Sequence, residues 1–138
     1  MKTILLIAAT SIVATVSGCG FAVRSPEMYR DDTKAVLETK SNDIRACYDG
    51  VLATTPGVGG KVTVKFEVEN EQGKLTKIAV DKANTTAPDA VSDCVTKSIT
   101  GLGITPPDGK VGQATFTWEF RAPAPGEYSS APAPAPKS

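Results

Sequence analysis

Histidine is absent from the chain. That removes the usual general base, the usual activator of a serine or cysteine nucleophile, and the commonest zinc ligand. Carboxylates are left for acid–base work, with Asp31, Asp32, Glu67, Glu69 and Glu71 as the candidates. Their places on a polar segment, an outward strand face and a turn are those of solvated charges, so no catalytic residue, metal site or cofactor is expected, and neither is a small-molecule substrate. Charge of one sign is lacking too: fifteen basic residues face fifteen acidic ones. No basic block stands out, which argues against nucleic acid or anionic headgroups as the main partner. Aromatics make up 6% of the chain, with a single tryptophan. No CxxC motif is present among the three cysteines, so a redox pair is not expected. No apolar run reaches the roughly twenty residues that span a bilayer.

The longest apolar run, Ile4 to Val16, follows a minimal basic start at Lys2. Its length suits a secretory leader over residues 1–18 rather than a permanent span. It ends in Val16-Ser17-Gly18-Cys19, which resembles the lipobox of bacterial lipoproteins. The resemblance implies cleavage before Cys19, a diacylglycerol on its thiol and an acylated new amine. Two or three acyl chains anchor stably where one binds only marginally. Gly20 after the cysteine implies outer-membrane delivery, facing the periplasm. The alternative is an ordinary leader cut near Gly18, with Cys19 a free thiol.

Residues 19–32 read as a polar tether, with Ser25-Pro26 marking irregular backbone. From residue 33 to 121 the pattern is that of a small domain. Val36, Leu37, Ile44, Cys47, Tyr48, Val51 and Leu52 recur at helical spacing. The helix is loosened at Ser41-Asn42-Asp43, where Ser41 or Asn42 would cap a separate second half. The glycine cluster at residues 57–60 fails the Walker pattern, because Val62 stands where a serine or threonine should follow the lysine. It reads as a helix-to-strand connection.

Gly60 to Val68 alternates apolar residues 62, 64, 66 and 68 with polar ones, a strand with one buried and one wet face. Asn70 to Gly73 turns the chain, and Ile78 and Val80 continue the buried face on the way back. Thr86, Pro88 and Asp89 suit a helix start, and Val91, Cys94, Val95, Ile99 and Leu102 form its stripe. A third strand sets Ala114, Phe116, Trp118 and Phe120 on one side, against Gln113, Thr115, Thr117 and Glu119. Its aromatic face reads as the heaviest apolar load of the core. Residues 122–138 are Ala/Pro-rich, which predicts an extended, mostly polyproline-II tail.

With Cys19 lipidated, Cys47 and Cys94 remain in an oxidising compartment, one on each helical stripe. Two helices on one sheet face would bring them together as a disulfide. Two buried free thiols are the rival reading.

The order helix, strand, turn, strand, helix, strand, with a cysteine in each helix, resembles the TonB C-terminal-like fold. It is closer still to the AgmX/PglI C-terminal domain of bacterial envelope proteins. The matching segments are Ile44-Arg45-Ala46-Cys47-Tyr48, Gly60 to Phe66, Asn70 to Leu75, Asp93-Cys94-Val95 and Phe116 to Phe120. After Ile99 the chain departs from the pattern, with Gly101-Leu102-Gly103-Ile104 where an aromatic-containing segment belongs. The fold so implied is α+β, a small two-layer sandwich of a three-stranded sheet covered by two helices. The implied function is non-catalytic protein binding in the cell envelope, by addition of a partner strand at a sheet edge. By that analogy the edge is Ala114, Thr115, Phe116, Thr117, Trp118 and Glu119. A structural envelope lipoprotein without a defined groove is the second reading.

Overall fold

The alternating stretch from Gly60 is the middle strand of a sheet. The computed structural model describes residues 23–124, and in it β1 spans Gly60–Val68. Val62, Val64, Phe66 and Val68 are all buried, as a period of two with one covered face requires. β1 lies between β2 (Leu75–Val80) and β3 (Gly112–Phe120), antiparallel to both. In the turn between β1 and β2, Gly73 takes φ +69°, and a Cβ there would run into the Ile104 carbonyl. Glycine therefore serves both the turn and the close approach of a later loop.

Three helices accompany the sheet: α1 (Pro26–Glu38), α2 (Ser41–Thr54) and α3 (Asp89–Ile99). The α+β sandwich is as the sequence reads, with one helix more than expected. The extra helix occupies half of the predicted tether. Ser25 Oγ accepts a hydrogen bond from Met28 N, and Pro26 fills the first helical turn. The Ser-Pro pair is thus a helix start rather than irregular backbone, and α1 buries Thr33 and Leu37. Between α1 and α2 the chain breaks at Thr39–Lys40, and α2 restarts behind Lys40 with no side-chain cap bond. Neither Ser41 nor Asn42 is the cap.

α3 packs on β1 and β2, and α2 packs on α3. Cys47 and Cys94 are joined in a disulfide between these two helices, Cα–Cα 5.5 Å. Cys94 is buried and Cys47 exposed, so the bond runs from core to surface. Thr86 does not cap α3: its hydroxyl accepts from Lys61 N at 2.9 Å, and Pro88 is the N-cap. Thr86 instead extends the edge of β1 beyond the end of β2.

The face of β3 carrying Phe116, Trp118 and Phe120 is half-buried, not the heart of the core. The cause is topological. β3 is an outer strand, and α3 sits over the other two.

Candidate functional site

The direction of the β3 backbone follows from its neighbour. Lys61 and Thr63 turn their backbone groups toward the β2 side: Lys61 O accepts from Thr86 N at 2.9 Å and Thr63 O from Asp81 N at 2.8 Å. Their own N–H groups donate to the Thr86 and Thr85 hydroxyls. Alternate residues of a strand point their N–H and C=O to opposite sides. Val62, Val64 and Phe66 therefore face β3, opposite Trp118, Phe116 and Ala114. It follows that Gln113, Thr115, Thr117 and Glu119 direct their N–H and C=O away from the sheet. Among the described residues no strand lies on that side.

The two edges of the sheet are unlike. β2 is six residues long, carries a bulge where Lys77 takes φ +50°, and begins against residues 102–104. Leu75 N donates to Leu102 O, and Ile104 N to Gly73 O. A short, bulged, partly covered strand is a blunted edge. β3 keeps nine residues in unbroken register with β1. It has no proline, and Glu119, paired with Arg121 at 2.9 Å, is its one charge. None of the usual devices against strand pairing is present along its middle.

Two grooves open beside this edge on the helical side. The first lies along Gly112–Phe116 and is walled by Val23, Pro26, Tyr29, Arg30, Lys110 and Val111. Tyr29 crosses so closely over Gly112 that a Cβ there would strike its ring. The Tyr29 hydroxyl is buried without a hydrogen-bond partner. Burial, reinforced by Asp108 and opposed by Arg24, raises its pKa. The second groove lies along Trp118–Arg121, against Ile44, Arg45, Tyr48 and Leu52 of α2. Tyr48 closes its floor, its ring 4.8 Å from that of Phe120 and its hydroxyl donating to Val58 O at 2.6 Å. Both grooves are mainly apolar, with cations on their rims.

The first groove depends on a latch. Arg24 donates from its backbone N to Asp108 at 3.0 Å, from Nε to Asp32 at 2.6 Å and from Nη2 to Pro106 O at 2.8 Å. The Arg24 and Asp108 side chains are 7% and 5% exposed. This cluster fixes the chain before α1 against the loop before β3.

The six predicted edge residues thus form one strand edge: Thr115, Thr117 and Glu119 offer outward backbone groups, while Ala114, Phe116 and Trp118 line the helical face. Thr117 is further steadied by its hydroxyl, 2.9 Å from that of Thr63. Cys19 lies outside the described residues. The carboxylate candidates do not converge: Asp32 pairs with Arg24, Asp31 with Arg30 and Glu67 with Lys77. Among the described residues no cluster of His, Cys, Asp or Glu could hold a metal, and no helix is long and apolar enough to cross a membrane. Sequence reasoning missed Arg24, Tyr29, Lys110 and Val111. The Ser25-Pro26 cap signal would have exposed α1 and with it Tyr29. The Arg24–Asp108 contact, 84 residues apart, leaves no local signal.

No family model matches the chain, and no curated protein or solved structure matches it either.

Proposed function

We propose that this chain is a lipid-anchored envelope module that holds another envelope protein by adding one of its strands to the β3 edge. The supporting observation is the unequal pair of edges: one blunted, the other nine residues long, in register and flanked by two apolar grooves. Main-chain bonding to Thr115, Thr117 and Glu119 supplies affinity with little sequence demand. Partner side chains entering the grooves on alternate residues supply selectivity. The proposed anchor is the acylated Cys19, and the proposed location is the periplasmic face of the outer membrane.

The test uses a photo-crosslinking residue at position 113, with the captured protein identified by mass. Thr115→Pro removes an outward donor without touching the ladder to β1, and it abolishes capture. Lys65→Gln, on the polar outer face, leaves capture intact. Equal capture by both variants sinks the strand-addition reading. Intact mass of protein from membranes tests the anchor: a chain beginning at Cys19 with acyl mass supports it, and an unmodified soluble chain overturns it.

A further inference from the structure

Three large hydrophobic side chains stay exposed among the described residues: Val23, Met28 and Val111, at 59%, 57% and 54%. They lie at one corner of the fold. Val23 and Val111 line the groove beside the start of β3, and Met28 sits in the first turn of α1, next to the Tyr29 that crosses Gly112. A single exposed apolar residue is ordinary on a protein surface, whereas a group of them rimmed by polar side chains marks an interaction site. Arg30 and Lys110 stand exposed on the rim of the same groove. Such long cationic side chains lay their methylenes along apolar surface and keep the charged head in a polar layer.

What covers the corner follows from where the chain enters it. Arg24 is fixed there by its bonds to Asp108, Asp32 and Pro106 O. It stands five residues beyond Cys19, and five residues span at most ~17 Å. A domain of this size is ~30 Å across. Once acylated, Cys19 sits where headgroups meet hydrocarbon. The latch therefore holds this corner at the bilayer and cannot hold the far end there. A contact so tethered is intramolecular, and a weak one suffices. The turn at the same end of the sheet carries Glu69 and Glu71, which confines the contact to the corner between α1 and β3.

We propose that Val23, Met28 and Val111 seat this corner in the headgroup layer of the membrane that holds the anchor, with Arg30 and Lys110 among the lipid phosphates. The inference rests on the acylation of Cys19 and adds an orientation to it. Apolar residues rather than net charge carry the contact, in keeping with a chain whose charges balance. The start of β3 is then at the bilayer, and Phe120, eight residues on from Gly112, stands up to ~26 Å away. The second groove lies at that far end, clear of the lipid.

The experiment uses the full mature chain, purified from membranes and reconstituted in vesicles of phosphatidylcholine and phosphatidylglycerol. With Cys19 acylated and Cys47 bonded to Cys94, an introduced cysteine is the one reactive thiol. Met28→Cys, Val111→Cys and Lys61→Cys carry an environment-sensitive fluorophore in turn, Lys61 being exposed at the opposite end of β1. The expected result is a blue shift of emission at 28 and 111, with quenching by nitroxide on the lipid headgroups, and neither at 61. Val23→Ser combined with Val111→Ser removes the shift at 28. A shift that persists there belongs to the dye and overturns the proposal, as does emission alike at all three sites. A shift without lipid quenching, or one lost on dilution to single copies per vesicle, assigns the corner to protein and equally overturns it. Intact mass separates the readings. Acyl mass with no shift defeats the membrane contact and leaves the anchor standing, while an unmodified chain overturns both.

Discussion

Three acidic residues, Asp108, Asp32 and Asp81, hold basic partners in this domain with unequal effect. Asp108 lies buried, accepting from Arg24 N at 3.0 Å with the guanidinium 3.9 Å away, so its loss leaves a buried donor unpaired and the guanidinium with Asp32 as its one carboxylate. Asp108→Ala is expected to lower unfolding stability by about 3 kcal/mol, the low end for breaking a buried pair. Asp32, on the same guanidinium but 47% exposed, is expected to cost less than about 1 kcal/mol on replacement by alanine. Urea unfolding of both variants checks the contrast. Asp81 acts through pH. Lys65 first, then Asn84, hold its carboxyl down to about 2, against an ordinary value of 3.8. A pKa depressed by folding gives stability that is complete above the unfolded value and lost as pH falls toward the folded one. The gap in stability between the unaltered chain and Asp81→Asn should therefore be full at pH 6 and should close between about pH 4 and pH 2. Unfolding titrations across that range read it, and a constant gap would contradict the assignment.

At the scale of elements, what could be read from the sequence was what repeats locally. β1 was legible because four buried apolar residues alternate with polar ones, and β3 because its aromatics do the same. Burial was less legible. The same alternation stands on a central strand with Val62 fully buried and on an edge strand with Trp118 half open, since the difference lies in where α3 packs. α1 was hidden by its own cap: Ser-Pro signals a turn and a helix start alike, and only Met28 N bonding to Ser25 Oγ separates the two. Removing that bond with Ser25→Ala should cost about 1 kcal/mol. It should also loosen Tyr29 over Gly112, so exchange at Ala114, whose backbone faces β1, quickens while that at Thr63 does not. The candidate edge was legible as a strand, but its openness was not, because it depends on β1 taking the central place and on no described strand lying beyond β3.

For the whole molecule the disulfide sets the margin. The described part is a sheet of three strands with helices on one face, and stabilities of such domains are about 5–15 kcal/mol. The Cys47–Cys94 bond closes a separation of 47 residues, which on chain-entropy grounds contributes about 4 kcal/mol. Cys47→Ala with Cys94→Ala should lower the unfolding free energy by roughly that amount, with a lower denaturant midpoint and a steeper slope, because the unlinked unfolded chain is more expanded. The loss should not be spread evenly. The bond ties α2 to α3, and α2 carries Ile44, Tyr48 and Leu52 to the groove beside Trp118. The ladder between β1 and β3 is independent of it. Trp118 emission should therefore shift before β1 amides lose protection, and the groove at Gly112–Phe116, held by the Arg24 latch, should keep its shape. A partner bound mainly through main-chain bonds would then still be captured by the cysteine-free variant at low temperature. Loss of capture with β3 amides still protected would instead assign recognition to the α2 groove, making the disulfide part of the binding site rather than only of the fold.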